Sequence, residues 1–274
     1  MKKHVICAGI LLISLFSAAA EKRIVSLGPY VTENLYLLGM GKNIAGLTIH
    51  DKPEKREGKE IIGTLISPNI EKILSLEPDI VIGSMEGNRP ESLHRLGELG
   101  VKTLVLGELY SFKDICANFL MLAANLDKEE KARAVISKEG KTLAAVREKA
   151  AGKEAKKVFF ILGFRPLITT GAGTYIDELI SFAGGVNIFK DTDKKWFSCS
   201  IEEVLVRKPD AIVYIGMEEE SAFFWERLEN MKVLEGKNIH RIDDTVVGSP
   251  TPETFVASVE TLFRLLHEEG KDVR

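Results

Sequence analysis

Histidine, tryptophan and cysteine are scarce: five, two and three residues in a chain of 274. A bare zinc or manganese site needs several histidines and carboxylates converging on one ion, so such a site is not expected. Basic residues are not in excess, with 37 Lys and Arg against 40 Asp and Glu, and they are scattered. No long positive stripe forms, which excludes nucleic acid as a partner. Catalytic signatures are missing as well. There is no Gly-x-Ser-x-Gly elbow, no P-loop and no His-Glu-x-x-His; Gly171-Ala172-Gly173 lacks both a third glycine and strand-to-helix spacing. Apolar residues, by contrast, make up 45% of the chain at a mean hydropathy of +0.02. That is enough to bury a sizeable core, in one large domain or two ordinary ones, and it rules out a disordered or collagen-like chain.

The N-terminus reads as a removable export signal. Lys2 and Lys3 precede an apolar run from Val5 to Phe16, which closes on Ser17-Ala18-Ala19-Ala20. The run is short for a membrane span, and charged residues follow at once. Cys7 lies near the start of the apolar run rather than after it, unlike a lipoprotein cysteine. Cleavage after Ala20 would leave 254 residues with a net charge of −5, in the periplasm. Cys116 and Cys199 would then remain, in different halves. They are expected as free buried thiols, because a bridge would restrain any hinge.

The chain repeats itself. Ile70-Glu71-Lys72-Ile73-Leu74 through Pro78-Asp79 and an apolar run recurs as Ile201-Glu202-Glu203-Val204-Leu205 through Pro209-Asp210 and another, offset by 131 residues. Each copy predicts a short helix, capped by Ser67 or Ser198 and stopped at Pro-Asp. A strand buried on both faces follows, at 80–82 and 211–215. Upstream, strands at 23–27 and 157–162 lead into helices at 32–38 and 174–182. Further strands are expected at 102–106 and 239–242, after helices at 90–99 and 223–231. Alternating strands and helices imply parallel sheets. Between the halves, residues 127–152 are rich in Ala, Lys, Glu and Arg and weakened only at Gly140. This predicts a helix of about 22 residues, roughly 33 Å long, rather than a flexible linker. The expected fold is α/β: an N-terminal lobe at 21–126, a connecting helix at 127–152 and a C-terminal lobe at 153–274, with a ligand cleft between the lobes.

Several stretches carry a resemblance: Arg23-Ile24-Val25-Ser26-Leu27-Gly28-Pro29, Leu37-Leu38-Gly39-Met40-Gly41, the two repeat helices, and Ala183-Gly184-Gly185-Val186-Asn187. In this order, with an export signal and a helical rod, the chain resembles periplasmic substrate-binding proteins of ABC importers for iron–siderophore complexes, haem and vitamin B12. The resemblance implies a monomeric receptor that passes a metal chelate to a permease dimer, with no cofactor of its own. It also implies that Glu71 and Glu202 dock on permease arginines, although each equally suits a helix N-terminus. An exported α/β enzyme of unknown reaction is the alternative, since this class of fold hosts many activities.

Loops after the carboxyl ends of parallel strands line ligand crevices. They nominate Tyr30, His50 and Arg89 in the first lobe and Arg165 and Trp196 in the second. Trp196 suits a flat macrocycle or aromatic chelate and matches a tryptophan of the vitamin B12 binders. Arg89 and Arg165 could meet ligand anions or remain solvated. Tyr30 and His50 are candidate axial ligands to haem iron or corrinoid cobalt, or plain loop residues. The first-lobe loop near Met85 has no aromatic, and His50 stands where the family usually has one. An iron complex is therefore preferred to cobalamin.

Overall fold

The computed structural model describes residues 22–215, 238–242, 244 and 248–268. The expected export segment at 1–20 and the helix at 223–231 lie outside the described residues. The first half contains β1 (Ile24–Ser26), α1 (Pro29–Leu37), β2 (Ile44–Leu47), α2 (Pro53–Arg56) and β3 (Glu60–Ile61). It continues through α3 (Ile70–Ser75), β4 (Ile80–Ser84), α4 (Pro90–Glu98), β5 (Thr103–Leu106) and α5 (Phe112–Asn125). Its five strands form one parallel sheet in the order β3-β2-β1-β4-β5.

After α6 (Glu129–Ala151) come β6 (Lys156–Ile161), β7 (Gly163–Phe164), β8 (Leu167–Thr170), α7 (Tyr175–Phe182) and β9 (Gly185–Asn187). Then follow β10 (Trp196–Ser198), α8 (Ile201–Arg207), β11 (Ala211–Tyr214), β12 (Asn238–Arg241) and α9 (Pro252–His267). The second parallel sheet runs β12-β11-β6-β9, so β9-β6-β11-β12 repeats β2-β1-β4-β5. A small antiparallel sheet, β10-β8-β7, is added in the second half only. Neither this sheet nor α5 is predicted by the sequence pattern.

The strands read as continuous apolar runs because both faces of each sheet are covered. Ile24, Ile80 and Ile82 join one cluster, whereas Val25, Leu27 and Val81 join another beneath α3 and α4. In the second sheet Val158, Phe160 and Val213 face the first of these clusters, and Phe159, Ile161 and Ile212 a third beneath α8. One core therefore runs from sheet to sheet. α6 lies inside it, packed on α5, α7 and α9 with Ala132, Leu143, Val146 and Ala150 buried. It has 23 residues, about 35 Å of helix, and continues through Gly140. The expected rod is thus part of the core rather than a spar outside it.

The repeat has a backbone cause. Glu77 and Lys208, each just before the Pro-Asp pair, adopt left-handed backbone with φ of 46° and 52°. Each α-helix has ended before this point, at Ser75 or Arg207. The Asp79 carboxylate then accepts from the Arg23 N–H at 2.7 Å while the Asp79 N–H donates to the Arg23 carbonyl at 2.9 Å. Asp210 makes the same pair with Lys157, at 2.8 Å in both directions. Pro-Asp thereby fixes β4 and β11 in register against β1 and β6, while the helices stop before the pair rather than at it, at Ser75 and Arg207. The caps also differ from expectation. Asn69 and Ser200, not Ser67 and Ser198, accept from the third helical N–H, at 2.9 and 3.1 Å. Only a residue immediately before the first turn can reach that donor, and Ser198 instead pairs in β10.

Cys116 and Cys199 are free and half-buried, and burial pushes their thiols up to about 12 and about 11. His267, in the last turn of α9, is half-buried with Nε2 3.0 Å from the Ala183 carbonyl, and burial lowers its pKa. No helix among the described residues is long and apolar enough to cross a membrane. Because the Asp79 and Asp210 clamps are far apart in the chain and share no partner, Asp79→Ala and Asp210→Ala should each lower unfolding free energy by about 1 kcal/mol, additively, in urea titrations.

Candidate functional site

In the first sheet the strand order reverses between β1 and β4, so the loops leaving these neighbours diverge at their carboxyl ends. Pro29 occupies the first turn of α1, where a missing N–H costs nothing. Asn88 ties three segments together. Its Oδ1 accepts from the Ser84 N–H at 2.8 Å, and its Nδ2 donates to the carbonyls of Leu27 at 2.8 Å and Leu65 at 2.9 Å. A Cβ at Gly28 or Gly87 would stand 2.4 or 2.3 Å from a Leu65 methyl. The two glycines are what let Leu65 seat between the loops.

A cavity of about 360 Å³ opens at this point. Pro29, Tyr30, Glu33, His50, Lys52, Leu65, Glu86 and Asn88 line it from the first half, and Asp244, Gly248 and Ser249 from the second. Of the five nominated binding residues, Tyr30 and His50 line it; Arg89, Arg165 and Trp196 do not. Arg89 is the exposed residue preceding α4, and Arg165 is exposed between β7 and β8. Trp196 opens β10 with 43% of its surface exposed, its ring edge-on to Tyr175 at 6.0 Å. Glu71 and Glu202 are exposed in the first turns of α3 and α8. Neither has an ion pair among the described residues, and no group of metal-holding side chains was found there.

Four further residues matter at the cleft. Glu86 lines the cavity and its carboxylate accepts from the Leu109 N–H at 2.5 Å. Tyr175 stands in the first turn of α7, as Tyr30 does in α1; aligning the repeat-related helices would have found it. Lys195 Nζ sits 3.2 Å from the ring centre of Tyr110, across from the other half. Nothing local in the sequence pairs these last two.

Burial raises the Tyr30 phenol well above its usual pKa, against a lowering by Asn118, with Glu86 and Cys116 adding to the rise. Burial likewise raises Tyr175, and Glu86 and Tyr30 push it further. Burial also raises Glu86, opposed by the Leu109 N–H; Glu108 raises it and Lys195 lowers it. Tyr30, Glu86 and Tyr175 thus form one electrostatic group spanning the cleft, with both phenols neutral. The cavity's charge is acidic: Glu33, Glu86 and Asp244 against Lys52, with His50 beside them. Glu33 is engaged by Lys55 at 3.1 Å.

Comparison with known proteins gives a consistent picture. A family model described as periplasmic binding protein matches residues 24–237. The vitamin B12-binding protein of Yersinia pestis (strain Pestoides F) is 31% identical over 228 residues, 81% of each chain. The crystal structure of the periplasmic vitamin B12 binding protein of Vibrio cholerae matches at 28% identity and a TM-score of 0.75, covering 89% of this chain and 96% of that one. A periplasmic haem-binding protein of the same organism shares the fold at 22% identity and a TM-score of 0.79, covering 90% and 100%.

The Tyr30 hydroxyl is buried with no formed hydrogen bond among the described residues, although Asn118, which holds the Gly107 N–H at 3.0 Å and carbonyl at 2.8 Å, lies near enough to lower its pKa. Tyr30→Phe should therefore hold or raise stability, by up to about 1 kcal/mol. A raised phenol pKa stabilises the fold fully below the ordinary value of 10.0 and less as pH climbs beyond it. The variant should accordingly lose stability less steeply than the native chain above pH 10, as read by thermal unfolding across alkaline buffers.

Proposed function

This chain belongs to the periplasmic binding protein family, and from that premise we propose that it captures a corrinoid, of the vitamin B12 kind, for delivery to an ABC-transporter permease. It is a binding protein for a metal chelate rather than an enzyme. The charge of the cavity carries the corrinoid reading. Among the described lining residues Glu86 and Asp244 face one lysine and one histidine, while the third carboxylate, Glu33, is paired with Lys55. Such a lining repels the propionates of haem and the anionic oxygens of a ferric catecholate or hydroxamate, and it accepts hydrogen bonds from the carboxamides around a corrin ring. Tyr30 lines the cavity, and the exposed Trp196, edge-on to the buried Tyr175, offers flat apolar surface outside it. A neutral, buried Tyr30 is a poor ligand for ferric iron, which leaves His50, exposed at the cavity edge, as the residue for axial contact with cobalt. This reverses the preference for an iron complex drawn from the first lobe's few aromatics. Arg89 and Arg165, away from the lining, are assigned to solvent-facing loops.

Glu71 and Glu202 are proposed to dock on the permease. Each opens a helix that runs back against its sheet, so each stands at the strand-carboxyl edge where the cavity opens. Residues 1–20 are proposed as a cleaved export signal, and the mature chain as a periplasmic monomer of two lobes, 21–126 and 153–274, bridged by 127–152.

Cyanocobalamin at 100 times its Kd should stabilise the purified mature protein by about 2.7 kcal/mol. Stabilisation instead by haem or a ferric siderophore, and not by cobalamin, would overturn the corrinoid reading while leaving chelate capture intact. Replacing Glu71 and Glu202 together with Ala should leave chelate affinity unchanged and abolish stimulation of the transporter's ATPase in proteoliposomes; undiminished stimulation would remove the docking assignment.

A further inference from the structure

Among the described residues several side chains cross between the halves, Glu178 accepting from the Phe112 N–H at 2.6 Å among them, and one of these contacts pairs a cation with an aromatic face outside the cavity lining. Lys195 lies in the exposed segment before β10, its carbonyl fixed by the Gly171 N–H at 3.1 Å. Its ammonium reaches across to the face of Tyr110, 3.2 Å from the ring centre. Tyr110 is itself held. Its N–H donates to Asp114 Oδ2 at 3.2 Å, and its hydroxyl donates to the Glu108 carboxylate. Donating to a carboxylate enriches the ring's π face and strengthens its attraction for a cation. Lys195 also attracts Glu86, which lines the cavity. The partner on the first half is thus an aromatic face, whose hydroxyl is bound by a carboxylate, presented to one cation from the second.

We propose that Lys195 is a clasp across the cleft, whose hold on Tyr110 gates passage of the ligand and sets its exchange rate. The proposal rests on the reading of the cavity as the chelate site. Tyr110 and Glu108 follow β5, at the edge of the first sheet, so the clasp closes the side of the cleft away from His50 and β2. A ligand moving in or out on that side has to displace an ammonium bound to an aromatic face. The core that passes through α6 keeps the lobes from opening widely, so a side chain rather than a hinge is the element that moves.

The test is stopped-flow absorbance with cyanocobalamin on Lys195→Met, which keeps most of the stem and loses the charge, on Tyr110→Ala, and on the double variant. Each single variant should raise association and dissociation rates together, by about threefold, the worth of an exposed cation–π contact, with Kd nearly unchanged. The double variant should match the singles, because both break one contact. Faster dissociation alone with weaker Kd would make Lys195 a ligand contact and overturn the clasp; unchanged or additive rates would overturn it too. A ligand-free control keeps the two readings apart. Urea midpoints of the same variants should be non-additive, and additive midpoints would show that no contact exists. Non-additive midpoints in a native protein that binds no cobalamin, haem or ferric siderophore would refute the chelate reading, and the exchange role with it, while leaving the contact itself in place.

Discussion

One hydrophobic core passes without a break from the first parallel sheet, around α6, into the second. Everything else is arranged about it. A freestanding helix of 23 residues with a glycine near its middle would be marginal in water, and it forms here because its Ala, Leu and Val face is buried against α5, α7 and α9. Opening the cleft by a wide hinge would expose part of that core at roughly 25 cal/mol for each Å² of apolar surface. The architecture therefore favours small closures and places motion in loops and side chains at the cleft.

Given that core, each sheet needs its strands in register, and the repeat supplies the device twice. A residue in left-handed backbone, a proline that cannot continue a helix, and an aspartate paired in both directions with the neighbouring strand bring β4 to β1 and β11 to β6. The same stretch opens with Glu71 or Glu202. Strand register and the two exposed carboxylates are thus fixed relative to each other in both halves, which is the arrangement a pair of related docking pockets would recognise.

The cleft departs from the symmetry of the sheets. The first half contributes Asn88, which ties three loops, and Leu65 seated against two glycines. The second inserts the antiparallel β7, β8 and β10, which carries Trp196 outward and sets Lys195 facing Tyr110. Ligand chemistry is decided by this asymmetric layer. On the corrinoid reading proposed above, neutral phenols and the carboxylates of this layer would meet a ligand rich in amide donors.

The fold was largely legible from residues 24–27, 70–82, 157–162 and 201–215, because runs covered on both faces, capped helices and the 131-residue offset are local patterns. Asn69 and Ser200 displaced the expected caps because capping depends on backbone placement to within one residue. The antiparallel sheet was missed because Gly163–Phe164 is too short to show an alternation. Of the candidate site, Tyr30 and His50 could be found from strand ends alone. Arg89, Arg165 and Trp196 were nominated on the same ground, yet only packing determines which loop residues turn inward. By itself the sequence determined the class of fold, the duplication, the connecting helix and the paired glutamates, since each is written in the spacing of nearby residues. The tertiary structure alone decided the burial of that helix, the acidity of the cavity and the meeting of Lys195 with Tyr110, because these join residues far apart in the chain.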